Sequence, residues 1–406
     1  MSIFSGPLLA RVRASTESWP LTTLALLWLA GLYLRLTLLV APPLAPFMAQ
    51  ELSLNVTAMG ALTTIPVLML AVAAIAGAWV ISRLGPQRTA VLCLAVIALA
   101  SSARSGATSV VWLFTATVVM GIAIAALQPT LPALVRQWMP GRIALATAVY
   151  MNGMLMGEVL GAGLTLPLVM PLVGDSWRLA LLVWSLPGLI VGVLIGWHGR
   201  SQRTVSSPGS RGRWVPAFGS PTVWYLGLIL GGSASMFFGI NAYMSNILEQ
   251  RGEADQLGRG LLLFNSAQVA ASLVALRYAR PWLGRAGPVI GLTLVCLVGT
   301  ILFAYTGGWL AAWSAFVVSL AAGVVLILMV SLPAAITTQA ETAPLAAGMF
   351  TIGYGLSFVV PLISGVLVDA TGQAHLAVWP LLALAALSLL VCSPLARAYD
   401  RAQATP

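Results

Sequence analysis

Stretches of roughly 20 apolar residues, about the length one helix needs to cross the hydrocarbon of a bilayer, recur along the whole 406-residue chain. A lone strand in lipid leaves its backbone donors and acceptors unpaired, so each run reads as a helix. Twelve are expected, over 21–47, 58–81, 89–103, 110–135, 143–172, 179–197, 223–248, 257–276, 289–305, 309–336, 346–368 and 377–395. A soluble surface needs about 25% charged residues; this chain has 7%, with 59% hydrophobic, so lipid covers most of it. Pro42, Pro43, Pro129, Pro132, Pro167, Pro187 and Pro361 fall inside the runs and are expected to kink helices, freeing carbonyls that need other partners.

All 20 basic residues are arginine, and the net charge is +10. With the first residue inside the cell and an even number of spans, the arginines at 11, 13, 83, 88, 136, 142, 200, 203, 211, 213, 277, 280, 285, 397 and 401 face the cytoplasm. Only Arg104, Arg178, Arg251 and Arg259 fall outside, so the bias of positive charge predicts both termini cytoplasmic. Charge spread over short juxtamembrane loops is what insertion requires and does not point to nucleic acid. No cleavable signal peptide is visible before Leu21, and the first span is expected to act as an uncleaved anchor. The segment 198–214 is rich in Ser, Arg and Gly and reads as a flexible cytoplasmic linker. The organisation expected is a cytoplasmic segment 1–20, a six-helix bundle 21–197, the linker 198–214, a second six-helix bundle 215–396 and a tail 397–406.

Two charges lie deep in apolar runs. Arg35 is 14 residues past Leu21, roughly 21 Å along a helix, and Glu158 is 16 past Arg142, roughly 24 Å. Both counts start from the cytoplasmic side, so the two sit at similar depth. A guanidinium keeps its proton at ordinary pH and must be stabilised by an anion, a carboxylate or trapped water. Two roles follow. Arg35 clamps an anionic or nitro oxygen with its fork of donors while Glu158 opposes it or binds a proton, or the two form a permanent ion pair that fixes the first span against the fifth. In the first role substrate and Glu158 compete for Arg35, and protonation of Glu158 frees the guanidinium. The second half brings no buried charge, so the site is expected to lean electrostatically toward the first half.

Other chemistries find no footing. Cys93, Cys296 and Cys392 lie in different spans and share no metal-like spacing with His198 and His375, so no metal site, disulfide framework or thiol nucleophile is expected. A phosphate loop of the Gly-x-x-x-x-Gly-Lys type requires lysine, which the chain lacks. No grouped nucleophile, base or acid points to an enzyme, and no cofactor is implied. Gly157, Gly161 and Gly163 suit close helix contact within one bundle better than dimerisation.

The halves look related, since Leu131-Pro132-Ala133 in the fourth span recurs as Leu332-Pro333-Ala334 in the tenth. Internal duplication marks many secondary transporters, whose site lies between the repeats near the bilayer midplane. Six spans, a basic linker, six spans and the loop Ser82-Arg83-Leu84-Gly85-Pro86-Gln87-Arg88 between spans two and three resemble the major facilitator superfamily. Within it the chain is most similar to the cyanate and 2-nitroimidazole permease family. That similarity rests on Arg35 with Pro43 and Leu44, on Leu131 to Arg136 with Pro140, and on Gly353-Tyr354 with Pro361, Gly365, Asp369 and Gly372.

The resemblance implies an all-α membrane protein that moves a small anionic or nitro-bearing solute by alternating access, with a gating loop at Arg83, Gly85 and Arg88. The candidate substrate-binding residues are Arg35, Gln128, Asn152, Asn241, Tyr243, Asn265 and Tyr354, with Glu158 as ion-pair or proton-coupling partner. The last six of the substrate set sit on spans that line the cavity in the resembled fold. A monomer is expected, with lipid, substrate and protons as partners. The alternative is a multidrug efflux transporter of the same superfamily, which a lone arginine favours less because it selects anions over lipophilic cations.

Overall fold

The computed structural model describes residues 21–72, 80–81, 83–198, 218–337 and 339–404. The N-terminal segment 1–20, Ser82 and all but His198 of the linker 198–214 lie outside the described residues. Among the described residues all regular structure is helical. We number the helices α1 (Leu21–Leu52), α2 (Val56–Val72), α3 (Pro86–Ser105), α4 (Val110–Trp138), α5 (143–172), α6 (Trp177–His198), α7 (Pro221–Gln250), α8 (Leu257–Trp282), α9 (Ala286–Tyr305), α10 (Gly308–Ile336), α11 (Gln339–Thr371) and α12 (Val378–Ala404). Ten are long and apolar enough to cross a membrane, α5 becomes an eleventh when its two bent pieces are taken together, and α2 is a shorter apolar helix.

The outer surface fits lipid. Exposed Leu99, Ile190, Val193, Leu273, Leu276, Val298 and Leu390 stud the middle of the helices. Exposed aromatic residues gather at the helix ends instead: Trp112, Tyr305, Trp309, Trp313 and Trp379 at one end, Trp197, Trp224 and Tyr278 at the other. Such belts mark the two interfaces of a bilayer. We call the first end distal and the second, which carries the C-terminal end of α12, proximal. Pro129 and Pro132 in α4 and Pro361 in α11 are accommodated inside continuous helices.

The first span is not one helix. It runs Leu21–Tyr33, breaks at Leu34 and Arg35, resumes over Leu36–Leu39 and restarts at Ala41–Leu52. At the first break the amides of Leu34 and Arg35 bond carbonyls only three residues back, Gly31 at 3.0 Å and Leu32 at 3.2 Å. The second break follows from Pro42 and Pro43, which lack N–H groups and suit a first helical turn. Arg104 donates from Nη2 to the Thr37 carbonyl and to Ser101 Oγ, both at 2.8 Å, and so occupies a carbonyl beside the broken segment. Arg104 lies at the distal end of α3, and there it is buried, with 1% of its surface exposed.

Close contact of α1 with α5 is a backbone affair. A Cβ on Gly153 would lie 2.1 Å from the Trp28 carbonyl oxygen, one on Gly157 2.3 Å from that of Leu32, and one on Gly161 2.7 Å from that of Leu36. Three glycines at intervals of four therefore form a stripe on which α1 rests, as bare backbone permits. Gly157 and Gly161 thus pack within the first half, whereas a Cβ on Gly163 would meet Leu262 of α8, across the molecule. Past this stripe α5 bends by 56° at Leu164 between two π-helical pieces, Val159–Gly163 and Thr165–Val169, the second holding Pro167. Glu158 ends the regular part of α5, at the kind of helix irregularity that recurs at functional sites.

Candidate functional site

Arg35 and Glu158, 123 positions apart in sequence, meet. Arg35 Nε lies 3.5 Å from Glu158 Oε1, and the two residues are only 5% and 4% exposed. The pair is loose. Arg35 Nη1 and Glu158 Oε2 are buried and have no hydrogen-bond partner. The Phe238 ring lies beneath the guanidinium, 5.3 Å from Cζ to the ring centroid, a cation–π contact.

Both charges line a small cavity whose other walls come from the second half: Ser233, Phe237 and Phe238 of α7, Gln268 of α8, Gly323 and Leu326 of α10, and Tyr354 of α11. About 20 Å³ is open to the centres of water-sized spheres, room for one or two waters. Phe237 stacks on Phe264 at 5.5 Å and Tyr354 on Phe350 at 5.5 Å, so these walls are flat and aromatic. Gln268 is held in place by Nε2 donation to the Ser319 carbonyl at 2.8 Å and to Ser319 Oγ at 3.0 Å. Among the described residues the fully buried charges are Arg35, Arg104 and Glu158, all from the first half. The first half therefore brings the charges to the cavity and the second half its aromatic rings.

The remaining candidate residues are placed elsewhere. Asn241 and Asn265 turn to each other: Asn265 Nδ2 donates to Asn241 Oδ1 at 2.9 Å and to the Leu261 carbonyl at 2.9 Å, while Asn241 Nδ2 donates to the Phe237 carbonyl at 3.1 Å. Their amides join α7 to α8. Asn152 is exposed and accepts from Trp28 Nε1 at 2.9 Å, joining α5 to α1. Gln128 is half-buried in α4. Tyr243 is buried between the halves and donates to the Pro361 carbonyl at 2.5 Å. Arg83 and Arg88 are exposed at the proximal end, flanking Gly85, whose φ of 79° suits a residue without a side chain.

Distal to the cavity the halves are sealed. A Cβ on Gly60 would lie 2.0 Å from the Tyr243 hydroxyl, and one on Gly365 2.6 Å from Thr57 Cα, so α2, α7 and α11 touch without spacers. At the rim, Asp369 of α11 caps the first turn of α2. Its Oδ1 accepts from the Val56 amide and its Oδ2 from the Thr57 amide, each at 2.9 Å, and the Thr57 hydroxyl also donates to Oδ2. A carboxylate there satisfies orphan amides and meets the positive end of the helix dipole.

Sequence reasoning missed the aromatic wall and the Asp369 cap. Phe237 and Phe238 carry no signal inside an apolar run. Asp369 stands in the sequence as a motif position, but its partners lie more than 300 residues away. Ser233 is likewise silent, since serine is common in membrane helices.

The family model of the Major Facilitator Superfamily matches residues 26–360. The cyanate transport protein CynX of Escherichia coli K12 is 28% identical over 374 residues, covering 91% of this chain and 95% of that protein. The 2-nitroimidazole transporter of the same organism is 28% identical over 365 residues, covering 88% and 90%. Among solved structures, a bacterial homologue of the human lysosomal transporter Spinster superposes with a TM-score of 0.70 at 17% identity, covering 95% of this chain and 98% of that one. The D-xylose-proton symporter gives 0.72 at 13% identity, covering 92% and 97%. With helices long and apolar enough to span lipid, a cavity between two halves and a family model that runs from the first span into the eleventh, this chain is a member of the major facilitator superfamily of membrane transporters.

Proposed function

We propose that this protein is a secondary transporter that moves a small anionic or nitro-bearing solute across the bacterial inner membrane by alternating access, with Arg35 as the group that receives the solute. The observation that carries this reading is the loose buried pair in the cavity between the halves. A permanent ion pair is stable in a dry interior only when its remaining donors and lone pairs are satisfied. Here Arg35 Nη1 and Glu158 Oε2 are left without partners. Nor is the pair needed to hold α1 against α5, because the glycine stripe already does so. The arrangement suits a cation waiting for an exchangeable partner.

Glu158 then acts as a placeholder. It neutralises Arg35 when the cavity is empty and yields to an incoming oxygen, either moving aside or taking a proton. Where it takes a proton, the exchange couples solute movement to protons. The relatives support the solute class, since one is a cyanate transport protein and the other a 2-nitroimidazole transporter. In this reading the distal end faces the cell exterior and both termini face the cytoplasm, so the sealed side is the outside.

The test is uptake into proteoliposomes of a panel of small anions and nitroheterocycles, with and without a proton gradient. Wild-type protein should show saturable flux of at least one of them, Arg35→Ala should lose it, and Glu158→Gln should keep flux while losing its dependence on the gradient. Flux unchanged in Arg35→Ala overturns the assignment of the receiving group, and full proton dependence in Glu158→Gln overturns the coupling.

A further inference from the structure

The two orphan atoms are of opposite kind. Arg35 Nη1 is a donor without an acceptor, and Glu158 Oε2 is an acceptor without a donor. Both belong to side chains that face one cavity and lie side by side, joined through Nε and Oε1 at 3.5 Å. A bare anion satisfies only the first. It accepts from Nη1, leaves Oε2 unpaired and adds a negative charge to a site whose two formal charges already cancel. Burying such an excess is costly in a low dielectric. A solute with an acceptor oxygen next to an N–H or O–H satisfies both atoms at once and leaves the site neutral.

Resting on the reading that Arg35 receives the solute, we propose that the site selects flat molecules that present a hydrogen-bond acceptor and an N–H or O–H donor on the same edge. The acceptor goes to Arg35 Nη1 and the donor to Glu158 Oε2, which makes Glu158 a specificity-determining residue as well as a counter-ion. As it stands the cavity holds a water or two, so a solute enters only once the halves part, and the rest of the lining then suits a flat body. Phe237 and Phe238 line it on one side and Tyr354, stacked on Phe350, on another, and aromatic faces favour planar guests. Gln268, its Nε2 committed to Ser319, presents only its carbonyl oxygen as a free polar atom, a second acceptor for a donor-bearing guest. N–H heterocycles carrying a nitro or carbonyl oxygen on the neighbouring carbon meet this description, as do undissociated carboxylic acids. For an anion the same total composition is reached when its missing proton resides on Glu158, so donor-bearing solutes and anion-plus-proton are two forms of one neutral load.

The test compares three probes on detergent-solubilised full-length protein: 2-nitroimidazole, its 1-methyl derivative, which keeps the nitro group but has lost the N–H, and the 4-methyl isomer, which has the same bulk and keeps the N–H. Binding is read by calorimetry or by thermal shift in wild type, Glu158→Leu, Glu158→Gln and Arg35→Ala. In wild type the two N–H compounds should bind about tenfold or more tightly than the 1-methyl compound, the usual worth of one hydrogen bond to a charged group. In Glu158→Leu that gap should close to within about twofold, and Glu158→Gln, which keeps an acceptor oxygen without charge, should fall between. Equal affinity of the 1-methyl and 4-methyl isomers in wild type overturns the inference, as does a gap that persists in Glu158→Leu. If Arg35→Ala abolishes binding of every probe while the isomers bind wild type equally, the receiving role of Arg35 survives and only the donor requirement falls. If Arg35→Ala binds all three as wild type does, the underlying reading falls with it.

Discussion

Asp369→Ala should unlatch the distal end. The carboxylate takes two backbone amides of α2 at 2.9 Å and the Thr57 hydroxyl, and every one of these bonds joins the two halves. Hydrogen bonds to a charged group contribute about 1.5–3 kcal/mol each when buried. Asp369 is exposed, so water replaces most of each bond once the halves part, and a net worth of about 0.5–0.7 kcal/mol per bond is appropriate. Three such bonds and the attraction of the helix terminus together give about 2 kcal/mol. That corresponds to about a 30-fold change in the ratio of distally closed to open molecules. A wild type with about one molecule in ten open would become one with about three in four open. Spin labels at Thr108→Cys and Asp255→Cys, exposed positions in distal loops of opposite halves, report this as a distance distribution by electron–electron resonance. The native cysteines, Cys93, Cys296 and Cys392, are buried and do not interfere. Asp369→Asn, which keeps an acceptor oxygen, should shift the ratio about fivefold, and Thr57→Val about threefold. An unchanged distribution in Asp369→Ala would mean that the close contacts of Tyr243 with Gly60 and of Gly365 with Thr57 hold the end closed alone, and the latch reasoning would be wrong.

Other outcomes follow from the same geometry. Arg35→Met or Glu158→Leu alone should lower thermal stability by about 3 kcal/mol, because each leaves a buried charge uncompensated, whereas the double variant should recover most of that loss; a thermal-shift cycle measures the coupling, and additive losses would contradict it. Gly157→Val should force α5 away from α1, since even a Cβ there would sit 2.3 Å from the Leu32 carbonyl oxygen, and a loss of about 2–4 kcal/mol with reduced substrate affinity is expected. Arg104→Met should destabilise by about 2–3 kcal/mol through loss of the bonds to Thr37 and Ser101, without changing which solutes bind, as judged by the same ligand panel on the variant.

The membrane-spanning helical architecture was legible in the chain because its cause is local. Runs of apolar residues have one stable answer in lipid, and each run declares itself without reference to the others. Arg35 and Glu158 stood out for the same reason, since a charge inside such a run is costly wherever the helix is placed. Equal depth could be counted from the ends of two spans, but contact could not, because helical rotation and neighbour choice are set by packing.

The sequence thus determined the solvent, the class of secondary structure and the two charges that need an explanation. Tertiary structure alone decided that those charges share one cavity, that Phe237, Phe238 and Tyr354 line it with them, that Asn241 and Asn265 satisfy each other, and that Asp369 caps a helix more than 300 residues away. The physical reason is that an apolar or amide side chain costs little on any inward face of a membrane helix, so its role is fixed only by which partner the fold brings to it. Arg104 marks the boundary between the two: at a helix end its charge looks cheap in sequence, and only the broken first span, with a carbonyl to offer at Thr37, draws it inside.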